Sequence, residues 1–187
     1  MYSDSSRVRL RGKTFELSIP HDEIVGCIDA LAERINTDYG DGSRGIPLFV
    51  GVLNGAFMFF AELLQRLTFP CEVSFVRLSS YRGTASTGTV TEVLGLTEDI
   101  AGRHVVVVED IVETGGSIGA LTASLSAMGP ASLEIAALLF KPAAYRLRLP
   151  IRYAAMELPN DFIVGFGLDY EGLGRNLRDI YKLADEG

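Results

Sequence analysis

Glu109 and Asp110 stand at the end of the most hydrophobic segment of the chain, directly after the valines at 105–108. Such an apolar run predicts a strand buried on both faces, and the segment 117–128 that follows has the spacing of a helix. In open α/β sheets, ligands bind outside the carboxyl ends of the strands. The two acids and the segment ETGGS at 113–117 are therefore candidates for a ligand site.

The segment 113–117 has the composition of an anion-binding loop. Gly115 and Gly116 let the main chain approach a phosphate closely, and the hydroxyls of Thr114 and Ser117 add donors to the free N–H groups of the helix start. The acids would repel a phosphate unless they face sugar hydroxyls or a Mg²⁺ ion that bridges hydroxyls and phosphates. A ligand with a ribose diol and a phosphate would give a binding partner to both acids and to every donor of the loop. Capping explains any single residue equally well, but it explains the whole ordered segment poorly.

Two other nucleotide-binding motifs do not fit the sequence. The GKT at 12–14 would end a P-loop only if glycine stood at position 7, where the chain has Arg7. The glycines of 115–119 do not match G-x-G-x-x-G, and the acids precede them instead of following about 20 residues later. A dinucleotide-dependent oxidoreductase is therefore not predicted.

The segments around the site alternate between strand and helix patterns. The expected strands are 46–53, 71–80, 104–110 and 133–140, and the expected helices are 21–37, 54–67 and 117–128. Solid apolar strands that alternate with helices predict an α/β fold, in which a parallel twisted sheet is flanked by helices. Within 71–80, Val73, Phe75 and Leu78 or their neighbours are expected to point inward.

After residue 145 the sequence pattern changes, and short strands, aromatic residues and turns replace the alternation of strands and helices. We expect a single domain over 1–187, with a core at about 20–142 and a small hood formed by 1–19 and 143–187. The polar segment 81–90 predicts a functional loop.

Composition narrows the function classes. The net charge of −7 argues against general nucleic-acid binding, which needs a basic surface. No segment approaches the length of a membrane span and no signal sequence is evident, so we expect a soluble, cytoplasmic protein. Cys27 and Cys71 are expected to be reduced thiols.

The segment VVVVEDIVETGGSIGAL, 105–121, closely resembles the phosphoribosyl-pyrophosphate signature of type I phosphoribosyltransferases. The rest of the chain, essentially 10–182, resembles the hypoxanthine–guanine branch of that family. The matching blocks are VGVLNGAFMF, LSSYRGTASTG, LLFK and DFIVGFGLDYEGLGRNL, which resemble the pyrophosphate loop, the flexible loop, the purine-contacting segment and the purine-stacking tail. The resemblance implies transfer of a phosphoribosyl group to a 6-oxopurine base such as hypoxanthine or guanine, with release of pyrophosphate.

The resemblance also implies a role for each matching residue. Phosphoribosyl pyrophosphate would be bound by Glu109, Asp110, Thr114, Gly115, Gly116, Ser117, Leu53, Asn54, Gly55, Ser80 and Tyr81. The purine site would consist of Lys141 on O6, Phe162 stacked on the ring, the Ile163 backbone and Asp169. Mg²⁺ would be held by Glu109, Asp110 and Asp169, while Arg175 would bind pyrophosphate and Glu113 would act as the base.

Two positions depart from the family pattern. Glu113 stands where an aspartate near purine N7 is usual, so the carboxylate is kept on a side chain one methylene longer. Asn54 stands where many relatives carry lysine, which makes the main chain, Mg²⁺ and Arg175 more important for pyrophosphate.

Alternatives remain at this stage. A regulator of the same fold could sense phosphoribosyl pyrophosphate and bind nucleic acid, although the net charge and the joint presence of Lys141, Asp169 and Arg175 disfavour it. A pyrimidine or adenine substrate is disfavoured because a lysine donates to a carbonyl oxygen. The ranking of hypoxanthine, guanine and xanthine stays open. The apolar segment NGAFMFFAELL favours self-association as a dimer or tetramer.

Overall fold

The computed structural model describes residues 6–80 and 90–184. Its elements, in chain order, are β1 (Arg7–Leu10), β2 (Lys13–Ile19), α1 (His21–Tyr39), β3 (Leu48–Leu53), α2 (Phe57–Leu64), β4 (Glu72–Ser80), β5 (Val90–Leu94), β6 (His104–Val112), α3 (Gly116–Ser126), β7 (Ser132–Phe140), β8 (Tyr153–Glu157), β9 (Ile163–Val164) and β10 (Ile180–Leu183).

The larger of two sheets has the strand order β5-β4-β3-β6-β7-β8. The five strands from β4 to β8 in this order run parallel, and β5 is antiparallel to β4. The predicted α/β fold with a parallel sheet is confirmed. Because the strands are parallel, the residues that follow β3, β6 and β7 meet at one edge of the sheet.

The helices cover both faces of this sheet. Residues of α1 and α2 pack with Phe49, Val106 and Val108 in one core cluster. Residues of α3 pack with Val105 and Val107 in a second cluster on the other face. This two-sided burial explains why the central strands are continuously apolar.

The second sheet has the order β1-β2-β10-β9 and is antiparallel throughout, so it joins the two ends of the chain. It encloses its own small cluster around Phe15, Val164 and Tyr181. This sheet is the hood expected from the sequence. Its junction with the core is fixed where the backbone N–H of His21 donates to Asp179 Oδ1 at 2.8 Å.

Several sequence-based details need correction. β8 pairs with β7, so the larger sheet extends to Glu157 and does not stop near residue 142. The helix expected over 54–67 is shorter, since α2 spans Phe57–Leu64. β6 runs on to Val112, beyond the predicted end at 110, so the acid pair lies inside the strand and not at its end.

The burial of β4 settles which of its residues face the core. Val73 and Phe75 are 41% and 39% exposed, whereas Val76 is fully buried and Leu78 is partly buried. Of the two alternatives predicted for this strand, the second is the one observed, because the neighbouring Val76 supplies the core contact while Val73 and Phe75 stay partly exposed. Cys27 and Cys71 are both free thiols. In the described part of the chain, no helix is long and apolar enough to cross a membrane.

Candidate active site

The acid pair lies near the carboxyl end of the central strand β6. Asp110 is 7% exposed, and one of its carboxylate oxygens accepts a hydrogen bond from the backbone N–H of Ile111 at 2.9 Å. Burial raises the pKa of Glu109 well above its usual range, and the adjacent Asp110 carboxylate adds to this effect. Burial also raises the pKa of Asp110, against the lowering effect of the Arg175 guanidinium. Two desolvated carboxyl groups side by side favour a site that receives a cation or hydroxyl donors.

The loop after β6 forms a concave cradle. Gly115 has φ +90°, the left-handed region that glycine adopts without strain, and α3 begins at the next residue. The first turn of a helix has backbone N–H groups without intrahelical partners, and these attract anions. A cavity of about 180 Å³ lies here, lined by Glu109 and the residues from Ile111 to Ile118. The cavity is therefore a suitable place for a phosphate group beside an acid.

The segment after β3 packs tightly against the acid pair. A Cβ atom at position 55 would overlap the carboxylate of Asp110, so only glycine fits there. A Cβ atom at position 167 would in turn overlap the carbonyl oxygen of Gly55. The peptide bond between Leu53 and Asn54 is cis. Three separate segments, after β3, within β6 and after β9, thus meet through two glycines.

Lys141 follows the end of β7 and is 3% exposed. Its ammonium group donates to the carboxylate of Glu113 and, at 2.6 Å, to the backbone carbonyl oxygen of Asp161. Its backbone N–H donates to the carbonyl oxygen of Val112 at 2.9 Å. A buried ammonium is tolerated because a carboxylate and a carbonyl oxygen partner it.

Phe162 presents an exposed aromatic ring next to Asp161. The ring is 48% exposed and is held from behind by Tyr170 at 5.7 Å, in an edge contact, and by Phe15 of the hood at 6.2 Å. Lys13 of the hood lies 5.0 Å from the centroid of the Tyr170 ring. Ile163, the next residue, is buried in β9. A ring fixed in this way offers a stacking surface for a planar ligand.

Asp169 and Arg175 form an ion pair in the turn that follows β9. Arg175 also donates to the carbonyl oxygen of Gly167 at 2.7 Å, and Asp169 accepts from the backbone N–H of Gly172 at 2.7 Å. Since Gly167 touches Gly55, this ion pair is connected to the segment after β3 by a short path of contacts. Both charged groups are about 30% exposed and so remain accessible to a ligand.

Two predicted residues, Ser80 and Tyr81, remain to be located. Ser80 is the last residue of β4, and Tyr81 lies outside the described residues. Sequence reasoning missed the pairing of Glu113 with Lys141, the carbonyl of Asp161, and the role of Gly167. The first of these follows from the register of β6 and β7, in which every pair differs by 28 residues and 113 therefore stands beside 141. The sequence predicts both strands but not their register.

An open α/β sheet with an acid pair and a helix-start anion cradle at its carboxyl edge defines a protein that binds phosphorylated sugars or nucleotides. Residues 20–171 match the family model of the phosphoribosyl transferase domain, and the chain belongs to this family.

Similar proteins share most of the chain. The hypoxanthine-guanine phosphoribosyltransferase of Streptococcus pneumoniae is 38% identical over 169 residues, which is 90% of this chain and 92% of the relative. The hypoxanthine phosphoribosyltransferase of Escherichia coli K12 is 38% identical over 176 residues, 92% of this chain and 98% of the relative. A solved structure of the Trypanosoma cruzi hypoxanthine phosphoribosyl transferase matches with a TM-score of 0.85 at 34% identity, and the match covers 95% of both chains.

Proposed function

We propose that this protein transfers the phosphoribosyl group from phosphoribosyl pyrophosphate to N9 of a 6-oxopurine, hypoxanthine or guanine. The products are the nucleoside monophosphate IMP or GMP and pyrophosphate. One observation supports this best. At the edge that holds the acid pair and the phosphate cradle, the buried ammonium of Lys141 and the exposed ring of Phe162 come from neighbouring segments. The similar proteins of S. pneumoniae and E. coli are a hypoxanthine-guanine and a hypoxanthine phosphoribosyltransferase, which supports the same reaction class.

The sugar substrate fits the features around β6. The 5′-phosphate would accept hydrogen bonds from the N–H groups and hydroxyls of Thr114 through Ser117, in the cavity that these residues line. Glu109 and Asp110 would accept from the ribose hydroxyls. The cradle binds one end of the sugar and the acids bind its other face, so the ring is oriented for attack at C1′.

The leaving group has its own set of contacts. Pyrophosphate would meet the main chain of Leu53, Asn54 and Gly55, with Arg175 as the nearby cation. During transfer the bond between C1′ and the pyrophosphate oxygen breaks, the bond between C1′ and N9 forms, and the base loses one imidazole proton. Charge builds up on the departing pyrophosphate, so a cation there stabilises the transition state more than the ground state. Ser80 and Tyr81 would contact the same group.

The acid pair suits Mg²⁺. Among the described residues, no three His, Cys, Asp or Glu side chains cluster closely enough to hold a metal by themselves. Mg²⁺ is typically bound by one or two carboxylates together with substrate phosphates, so a pair of acids is sufficient. Glu109 and Asp110 would hold one ion and Asp169 a second. When bound, Mg²⁺ neutralises the charge that develops on pyrophosphate.

The base would lie between Phe162 and Lys141. Phe162 offers a stacking face, and Lys141 offers a donor to the O6 carbonyl oxygen, which adenine lacks. The backbone of Ile163 would contact the base edge. Glu113, next to Lys141, carries a carboxylate that can accept the proton from N7.

A base panel tests this function directly. Purified protein with Mg²⁺ and phosphoribosyl pyrophosphate is given hypoxanthine, guanine, xanthine, adenine or uracil, and nucleotide formation is followed. We expect turnover with hypoxanthine or guanine and none with uracil. Tight binding of phosphoribosyl pyrophosphate without turnover of any base would instead indicate a sensor of this metabolite, and salt-dependent RNA or DNA binding would then be the next measurement.

Self-association is also proposed. Phe57, Val73 and Phe75 are each about 40% exposed, and the Phe75 ring contacts Phe60 of α2 edge-on at 5.3 Å. Large apolar side chains grouped on one surface are typical of a subunit interface. The T. cruzi relative has been described for the role of its C-terminal region in its oligomeric state. A dimer or tetramer would cover this surface.

A further inference from the structure

Glu113 and Lys141 are neighbours because of strand register. The pairs of β6 and β7 end at Val112 and Phe140, and the next residue of each strand is Glu113 and Lys141. The backbone N–H of Lys141 donates to the carbonyl oxygen of Val112, while its ammonium reaches the Glu113 carboxylate. Lys141 is thus held to the end of β6 by both its main chain and its side chain.

The two partners of this ion pair are buried to different degrees. The Lys141 side chain is 3% exposed, whereas that of Glu113 is 48% exposed. Lys141 therefore depends on its neighbours for solvation, but Glu113 can be hydrated without Lys141. Loss of the carboxylate would leave a buried ammonium with only the Asp161 carbonyl oxygen as a described partner.

We infer that Glu113 is a positioning residue for Lys141, so that the carboxylate and the ammonium act on the purine as one unit. This inference rests on the proposed function. An ammonium has three N–H donors. Two are taken up by Glu113 and the Asp161 carbonyl oxygen, which leaves one fixed donor for O6 of the base.

The pair also matches the edge of the base. A 6-oxopurine that is protonated on N7 presents an acceptor, O6, beside a donor, the N7–H, and its N9 lone pair is free to attack C1′. Lys141 and Glu113 present a donor beside an acceptor. The pair would thereby favour the tautomer in which N9 is nucleophilic, and it would disfavour a base with an amino group at C6.

Equilibrium binding of IMP separates this role from base catalysis, because IMP has no N7 proton and no bond is made or broken. The variants are E113A, E113D, K141M and E113A/K141M, and binding is measured by calorimetry with Mg²⁺ present. We expect E113A to weaken IMP binding roughly tenfold when Lys141 is present. In the K141M background the same change should weaken binding by less than about twofold, because no ammonium remains to be positioned.

Conservative and control variants define the result. E113D keeps a carboxylate on a shorter side chain and should recover part of the lost affinity. E157A removes an exposed carboxylate at the end of the adjacent β8, which makes no ion pair with any described residue, and should bind IMP like the unaltered protein. If K141M does not fold, as judged by its thermal unfolding, K141Q replaces it, because its amide still donates to the Asp161 carbonyl oxygen.

Two outcomes would overturn the inference. Equal weakening by E113A in both backgrounds would show that Glu113 acts independently of Lys141. Unchanged IMP binding by E113A together with a lower kcat would show that Glu113 serves only in proton transfer. If the unaltered protein binds neither IMP nor phosphoribosyl pyrophosphate, the proposed function itself fails, which is a different result from binding without coupling.

Discussion

At the scale of single residues, close packing restricts side-chain size where substrate is expected to bind. Gly55 lies against Asp110 and Gly167 lies against Gly55, so the main chain itself fills the space that a Cβ atom would need. The same contacts bring the acid pair near the segment proposed to bind pyrophosphate. Glycine is needed at both positions because of steric overlap, and not because of a flexible loop.

Gly55→Ala should therefore lose function. The added methyl group must displace the Asp110 carboxylate or the segment after β3, so we expect phosphoribosyl pyrophosphate to bind at least about tenfold more weakly. Gly26→Ala is the matched control. Gly26 lies in the middle of α1 on its solvent-exposed side, and a Cβ atom there would have no neighbour within 4 Å. Gly26→Ala should therefore stabilise the protein by about 0.5–1 kcal/mol. Calorimetric binding and thermal unfolding measure the two effects, and normal binding by Gly55→Ala would contradict the packing argument.

The acid pair gives a second prediction at this scale. Glu109→Gln combined with Asp110→Asn keeps the shape of both side chains and removes their charges, so the fold should be retained. Binding of phosphoribosyl pyrophosphate should lose its dependence on Mg²⁺, because amides are poor ligands for this cation. Calorimetry with Mg²⁺ and with a chelator tests this. Intact Mg²⁺-dependent binding would mean that the ion is held elsewhere.

At the scale of elements, the sequence predicts strand and helix types well but contact partners poorly. The apolar runs of β3, β6 and β7 are sufficient to predict the parallel sheet, and the acid pair that follows the valines predicts a ligand site at its carboxyl edge. β8 was assigned to the hood because its segment, YAAME, is short and lacks a preceding helix, although its hydrogen bonds complete the larger sheet. Pairings such as Asp169 with Arg175 depend on turns with positive φ at several glycines, which no residue pattern specified.

Hydrogen bonds between the end of α1 and the start of β8 give a prediction for stability. Asp38 accepts hydrogen bonds from the hydroxyl of Tyr153 at 2.6 Å and from the Arg152 guanidinium at 2.8 Å. These contacts lower the pKa of Asp38 from its ordinary value of 3.8. A carboxyl group whose pKa is lower in the folded state stabilises the fold above its unfolded pKa, and the contribution is lost as the pH falls through the folded pKa.

Asp38→Asn should therefore destabilise the protein at pH 7 by about 1 kcal/mol, the value for a partly exposed hydrogen bond to a charged group. The difference from the unaltered protein should shrink as the pH falls below the ordinary value of 3.8, and it should vanish only below the lower folded-state pKa, where the carboxyl group is protonated in both folded and unfolded chains. Denaturant unfolding at pH 7 and at low pH measures this. A difference that is constant over the whole range would show that the charge of Asp38 contributes nothing.

At the scale of the whole molecule, the described residues leave one apolar surface partly exposed at β4 and the start of α2. Phe75 belongs to β4, and its ring lies on the α2 side of the sheet, in contact with Phe60. Val73 and Phe75 point to one face of the strand and the buried Val76 points to the other. Val73 and Phe75 are about 40% exposed, and so is Phe57 at the start of α2. Among the described residues, α2 covers the central strands and leaves Val73 and Phe75 partly exposed, so the alternation of β4 predicts two faces but not which of them is buried.

If this surface joins two subunits, Phe75→Lys should place a charge in the interface and produce a protein with the mass of one chain. Light scattering at working concentration measures the mass, and the unaltered protein should have at least twice that mass. Met128→Lys is the control, because Met128 is 41% exposed in the turn after α3, far in sequence from this surface, and should leave the mass unchanged. A one-chain mass for the unaltered protein would rule out the interface. The unfolding temperature of Phe75→Lys should also be lower than that of the unaltered protein, because a subunit in an oligomer is stabilised by the apolar area that it buries against its partner.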